Sequence, residues 1–295
     1  MQIGLLYSRI RSDEKLLLAE LRERGHDVVK VDVRDDSFGL DAVPDALAEC
    51  DLALDRCLAT SRSTYVTQFC EHHGVPVIND PDTAATCADK VRTSLALSAA
   101  DVPTPATEVA FTQDAALAAI ETMGYPCVLK PVVGSWGRLM AKVDSRSAAE
   151  AIVEHKATLG HYEHKVFYVQ EFVPKSGRDI RVLAVDGKPV AGMVRSADHW
   201  LTNAAQGADT APFAIDDEVA TLVATASDAV GGGLLGVDLM ETGADGGYTV
   251  HEVNHTVEFD ALDGTVDVDV PAAVVDWLET DAAGDAAATA EVTAQ

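Results

Sequence analysis

Apolar runs and amphipathic stretches alternate through the first third of the chain. IGLLYS (3–8) has the pattern of a strand, SDEKLLLAELRERG puts Leu16, Leu17 and Leu21 on one helical face ending at Gly25, and DVVKVDV (27–33) returns to a strand. DLALDR (51–56), a helix through Tyr65 to His73, and VPVIND (75–80) continue the alternation. Strand–helix–strand units predict a parallel sheet with helices on both faces, an α/β domain over 1–88.

The pattern then changes. A helix opens at Asp89 and stops at Asp101, before the stiff VPTP turn. A helix (113–123), the strand PCVLKP (126–131), a glycine-bearing turn, the strand LMAKV (139–143), a helix (146–158) and the strand VFYVQEFV (166–173) follow. They predict a small central lobe over 89–168. DIRVLAVDGKPVAGMVR is a hairpin turning at Asp186-Gly187. A helix (216–231), the strands LLGVDLMET and YTVHEVN, and the helix PAAVVDWLE (271–279) complete a C-terminal lobe over 169–279. Residues 280–295 are Ala, Thr and acid without an apolar stripe, and are expected to be a disordered acidic tail.

Charge narrows the function classes. With 48 acidic against 22 basic residues the net charge is −26, a field that repels phosphate backbones and excludes a nucleic-acid partner. The acids favour Asp and are spread along the chain, which points to the surface of a halophilic protein rather than to an acidic tail or a calcium loop. No run approaches the ~20 apolar residues of a membrane span, and the opening lacks a basic start and long apolar core of a leader, so a cytoplasmic location is expected. Cys50, Cys57, Cys70, Cys87 and Cys127 fall in no zinc spacing and are expected to be buried thiols.

Several segments carry chemistry. GSWGR (134–138) lies between strands bearing Lys130 and Lys142; glycine in a tight turn lets backbone N–H groups approach phosphate, although in isolation a plain hairpin is the better explanation. The dinucleotide and Walker patterns and the GxSxG elbow are absent. In VQEFVPKSGRDIR (169–181) the strand ending at Glu171 offers edge groups to a flat base, with Asp179 in reach of ribose hydroxyls; a surface turn is the plainer alternative. Asp238 within an apolar strand, and Glu252 and Asn254 two apart on one strand face, are hard oxygen donors suited to Mg2+. Arg181, Arg195 and Asn203 add polar and cationic groups for a triphosphate. His199, His251 and His255 have no zinc arrangement and are taken as packing or supporting residues.

DKVRT, VLKPVVGSWGR, VQEFVPKSGRDIRVLAVDG, the HWLTNAAQG run and HEVNHTVEF, in this order, resemble the ATP-grasp ligases, and within their RimK-like branch the LysX/ArgX group. The resemblance implies an α/β ATP-grasp fold with an N-terminal preATP-grasp domain and with ATP held between the two following lobes. Lys90 and Lys130 then match the phosphate lysines, Gly134, Ser135, Trp136 and Gly137 the lid, Gln170, Glu171, Phe172 and Val173 the adenine hinge, and Asp179 and Arg181 further nucleotide contacts. Asp238, Glu252 and Asn254 match the magnesium ligands, with Mn2+ a possible substitute. Lys130, Arg195 and Asn203 match catalytic positions, and Arg195, Asn203, Thr256, Glu258 and Phe259 substrate positions. The implied reaction joins glutamate or 2-aminoadipate to a LysW-type carrier protein through an acyl phosphate, in arginine or lysine biosynthesis, with glutamate slightly favoured. A RimK-type ligase adding glutamate to a ribosomal protein or small peptide is the alternative. A homodimer or homotetramer is implied, and an acidic carrier calls for a basic docking patch, with Arg56, Arg62, Arg138, Arg178 and Arg195 as candidates.

Overall fold

The computed structural model describes residues 1–134, 139–159, 165–175, 177–200, 208–242 and 246–282. Its first strands and helices are β1 (Gln2–Tyr7), α1 (Ser12–Glu23), β2 (Asp27–Asp32), α2 (Asp45–Ala48), β3 (Leu52–Arg56), α3 (Thr60–His72) and β4 (Val77–Ile78). The strands pair in parallel in the order β2-β1-β3-β4. β1 is buried from position 3 to position 6 because both its faces are covered: Leu6 packs with Leu47, Val66 and Cys70, while Ile3 and Leu5 face the opposite way. The run 75–80, expected as a full strand, pairs over two residues only.

Two capped helices lead onward. α4 (Pro81–Ala88) begins where the Asp80 carboxylate accepts from the N–H groups of Asp82 and Thr83, with proline in its first turn. The same side-chain cap recurs at Asp89, which opens α5 (Lys90–Ala99) and so places Lys90 in its first turn. The central sheet has the order β5-β8-β6-β7 and is antiparallel, built from β5 (Thr107–Ala110), α6 (Gln113–Met123), β6 (Cys127–Lys130), β7 (Ala141–Val143), α7 (Arg146–Leu159) and β8 (Phe167–Glu171). α6 and α7 cover it through Ile120, Val153, Leu129 and Val169, a core separate from the others.

The third sheet, antiparallel in the order β11-β10-β9-β12-β13, is formed by β9 (Arg178–Val185), β10 (Lys188–Ser196), β11 (Asp209–Pro212), β12 (Leu234–Glu241) and β13 (Tyr248–Asn254), with α8 (Asp217–Val230), α9 (Asp260–Asp263) and α10 (Val270–Trp277) around it. One face packs on α8 and α5 through Val182, Val223, Leu235 and Val250. The other joins the first sheet in one core: Leu183, Val185 and Leu234 meet Ile3, Leu5 and Leu54, with Val274 and Trp277 of α10 beside them. The first domain and the C-terminal lobe are therefore held by shared apolar burial, whereas the central sheet with α6 and α7 has its own core.

Polar groups fix the same junction. Asn79 donates to the carbonyls of Leu234 and His255 at 2.9 and 2.7 Å and accepts from the Leu234 N–H at 2.7 Å. This close approach needs Gly233, whose φ is +91° and whose Cβ would stand 2.2 Å from Asn79 Oδ1. The expected tail begins inside a single π-helical turn, Leu278–Ala282, and residues 283–295 lie outside the described residues. All five cysteines are free thiols, four of them buried. No helix among the described residues is long and apolar enough to cross a membrane.

Candidate active site

Alternation along the third sheet produces a row of charge. On β9, Leu183 and Val185 enter the core, and Asp179 and Arg181, on the same face, emerge beyond it into a cavity. Register places Arg195 of β10 opposite Asp179, Asp238 of β12 opposite Arg181, and Glu252 of β13 opposite Asp238. Arg195 Nε donates to Asp179 Oδ1 at 2.7 Å, and Arg181 grips Asp238 through two hydrogen bonds of 2.7 Å each. Arg195 also reaches Asp238, at 3.2 Å. Burial drives the Asp238 carboxyl upward, but Arg181 and Arg195 overcome it and hold the group well below the usual carboxylate range.

The central lobe brings amines to this row. Lys130, at the end of β6 and 2% exposed, donates to Gln170 Oε1, while its Nζ lies 3.3 Å from the His251 ring nitrogens. Gln170 is fixed in turn, its Nε2 donating to Thr107 Oγ1 and the Tyr168 hydroxyl at 3.0 and 2.9 Å. Burial, with Lys90 and Lys175 nearby, outweighs the attraction of Glu252 and lowers the Lys130 amine to about 7. His251 is pushed well below its ordinary value by burial and by Lys130, so the imidazole is neutral and accepts. Lys90 pairs with Glu252 at 2.8 Å and donates to the Gly134 carbonyl at 2.9 Å. Lys142 stands 4.7 Å from the centre of the Phe172 ring and pairs with Asp144.

One cavity is lined by Lys90, Lys130, Gly134, Gln170, Glu171, Phe172, Val173, Asp179, Arg181, Arg195, Asp238, Glu252, Asn254, Thr256 and Glu258. Candidates that lie far apart in sequence thus meet at one place. Ser135, Trp136, Gly137 and Asn203, and Arg138 of the basic patch, lie outside the described residues. Phe259 is a correction: its side chain is fully buried in the shared core, with the Arg56 guanidinium 5.6 Å above its ring, and does not line the cavity. Two of the named docking arginines are also corrected, whereas Arg62 and Arg178 are exposed. Arg56 and Arg195 are buried against Glu14 and Asp179, and Arg178 pairs with Glu241.

Asp238, Glu252 and Asn254 fit a small hard cation by donor chemistry: two carboxylates on facing residues and an amide whose Nδ2 is 3.5 Å from Asp238 Oδ2. Among the described residues no three His, Cys, Asp or Glu side chains converge as a ligand set, so the amide would have to complete the two acids. Asp238 is occupied by two arginines and Glu252 by Lys90, so a bound cation would share these acids with cations that phosphate can draw away.

Residues from the first domain also line the cavity and were not singled out by the sequence: Arg11 after β1, and Cys57, Leu58 and Thr60 after β3. A signal existed, because ligands of parallel α/β sheets bind outside the carboxyl ends of the strands. His251 lines the cavity too, and one histidine on a strand carries no motif by which the sequence could separate it from a packing or supporting residue.

Residues 3–86 match the LysX preATP-grasp domain and residues 87–278 the RimK-like ATP-grasp domain. The alpha-aminoadipate–LysW ligase LysX of Saccharolobus solfataricus is 35% identical over 84% of the chain and 90% of that protein. The glutamate–LysW ligase ArgX of Sulfolobus acidocaldarius is 29% identical over 95% of the chain and 98% of that protein. A RimK domain ATP-grasp protein from Sphaerobacter thermophilus superposes with a TM-score of 0.79 at 32% identity, covering 94% of this chain and 99% of that one. With both domain families matched in order along one continuous chain, the protein belongs to the RimK-like ATP-grasp family.

Proposed function

We propose that the protein is an ATP-dependent carboxylate–amine ligase joining the α-amino group of glutamate or 2-aminoadipate to the γ-carboxylate of the C-terminal glutamate of a LysW-type carrier protein, in arginine or lysine biosynthesis. Its likeness to the two LysW ligases along most of the chain supports the substrates. The observation that carries the chemistry is the single cavity in which Lys90 and Lys130 face the Asp238–Glu252 row.

In this proposal ATP lies between the lobes, its base beside Glu171, Phe172 and Val173 and its phosphates at Lys90 and Lys130. Asp238, Glu252 and Asn254 would hold Mg2+, or Mn2+ in its place, and the ion would supply charge neutralisation to the phosphates. Arg195, pre-set by Asp179, faces the phosphoryl group moving to the carrier carboxylate, so its orientation is settled before reaction. The amine of the amino acid then displaces phosphate and forms the amide. Exclusion of water by lobe closure protects the acyl phosphate.

The domains divide at 1–88, 89–168 and 169–279. A cytoplasmic homodimer or homotetramer in a salt-loving archaeon fits the charge of −26, which keeps a surface hydrated in concentrated salt. Phosphate release from ATP should require carrier and amino acid together. Full release with the amino acid alone would refute the carrier assignment.

A further inference from the structure

The cavity has a second end, built by the first domain. Arg11 caps α1: its backbone N–H and Nε donate to Glu14 Oε2 at 2.7 and 3.0 Å, and its Nη2 to Glu14 Oε1 at 2.7 Å. Nη1 points elsewhere, to Glu258 Oε1 at 2.6 Å. Glu14 is fully buried and shared, because Arg56 Nε also donates to it, at 3.1 Å. Two guanidiniums thus lean on one buried carboxylate. Among the described residues, Arg56 Nη1 and the Thr256 hydroxyl are buried with no hydrogen-bond partner, and Thr256 lines the cavity. The cluster has more donors than acceptors.

The backbone carrying Thr256 and Glu258 is pinned from the same side. Asn79 donates to the His255 carbonyl at 2.7 Å, Arg56 Nη2 to the Val257 carbonyl at 2.8 Å, and the N–H groups of Phe259 and Asp260 donate to Asp13 at 2.6 and 2.9 Å. Thr256 and Glu258, between these anchors, are held in place toward the cavity. A rigid arch of this kind, with a guanidinium beneath it, suits a carboxylate, whose two oxygens match the guanidinium fork.

We propose that Arg11 receives the side-chain carboxylate of the incoming acidic amino acid, in exchange for Glu258 and with the Thr256 hydroxyl as a second donor. It rests on the ligase function above. The amine of that substrate must reach the phosphoryl end, where Lys130 and Arg195 lie, and in a dicarboxylic amino acid the side-chain carboxylate is the anionic group farther from the amine. It therefore meets the opposite end of the cavity, where Arg11 is the lining cation contributed by the first domain. Glu258 is the occupant to be exchanged: its side chain is 35% exposed, so water can receive the carboxylate when a substrate anion takes its place on Arg11. The first domain thereby sets the preference for an acidic substrate.

The test is steady-state phosphate release by the full chain with ATP, Mg2+ and carrier, titrating glutamate, 2-aminoadipate and glutamine, for the wild type, Arg11→Gln, Arg11→Lys and Glu258→Gln. Arg11→Gln should raise KM for the preferred acid by about 10- to 100-fold and abolish its preference over glutamine, leaving KM for ATP within about threefold, as expected for loss of one charge-assisted hydrogen bond. Arg11→Lys should recover part of the preference. Glu258→Gln, by removing the competing anion, should lower KM for the acid, an effect in the direction opposite to any folding defect. An Arg11→Gln enzyme with unchanged KM and intact preference, or a Glu258→Gln enzyme with unchanged or raised KM, overturns the inference. A wild type that turns over no amino acid with carrier defeats the ligase function instead.

Discussion

Arg181 and Asp238 face each other across β9 and β12 and share two parallel hydrogen bonds of 2.7 Å. Asp238 is consequently both a candidate metal donor and the counter-ion of the buried Arg195 and the half-buried Arg181. Asp238→Ala should abolish phosphate release and also destabilise the fold by about 3–5 kcal/mol, because Arg181 and Arg195 lose their common partner. Denaturant unfolding measures the second effect. The paired change Arg181→Met with Asp238→Leu should recover much of the stability and none of the turnover; recovery of activity would exclude Asp238 from the chemistry.

Lys130 is largely uncharged above about 7 in the free protein, since burial lowers its amine to that value. Phosphate favours the charged form. ATP binding at pH 8 should therefore take up close to one proton, and uptake should shrink toward pH 6, where the amine is already protonated. Calorimetry in buffers of different ionisation enthalpy reads this directly. The same shift makes Lys130 a destabilising group as pH falls from the ordinary lysine range through 7, where charging a buried amine opposes folding. Lys130→Met should remove the proton uptake and turnover together; uptake that persists belongs to another group.

Phe259 serves the core. Phe259→Leu should cost about 1–1.5 kcal/mol in denaturant unfolding and leave KM for the amino acid within a few-fold. A large KM change at unchanged stability would return the ring to the substrate site.

Asn79 closes the junction between first domain and C-terminal lobe with three buried hydrogen bonds. Asn79→Ala leaves the Leu234 N–H and two carbonyls unpaired, and should cost at least about 2 kcal/mol. Because His255 begins the arch over the amino-acid end, KM for the amino acid should rise as well while KM for ATP changes little. An unaltered melting temperature would show that water replaces the side chain.

Much of the architecture was legible because periodicity and capping agree. IGLLYS, DLALDR and the Asp186-Gly187 hairpin appear as β1, β3 and the β9–β10 turn, since apolar runs of strand length and turn dipeptides act locally. α4 was passed over although Asp80-Pro81 is a helix start, because the segment ends in Asp89, itself the next cap. β5 follows closely on the VPTP turn and shows no sequence signal: four residues paired with β8 alone at a sheet edge carry too little pattern. At the cavity, residues on strands were found by charge inside apolar runs, as with Asp238. Arg11 was not, because its meaning comes from Glu14 and Glu258, which are three and more than two hundred positions away from it. Arg56 shows the limit: an arginine in a very acidic chain looks like surface, and only the fold reveals it buried against Glu14.

Mass spectrometry of the carrier after incubation with the protein, ATP, Mg2+, glutamate and 2-aminoadipate in concentrated KCl tests the proposed ligation most directly. The expected result is a carrier heavier by one acidic amino-acid residue, lost when ATP is omitted, with the increment naming glutamate or 2-aminoadipate. A carrier of unchanged mass, while ATP is consumed, would contradict it.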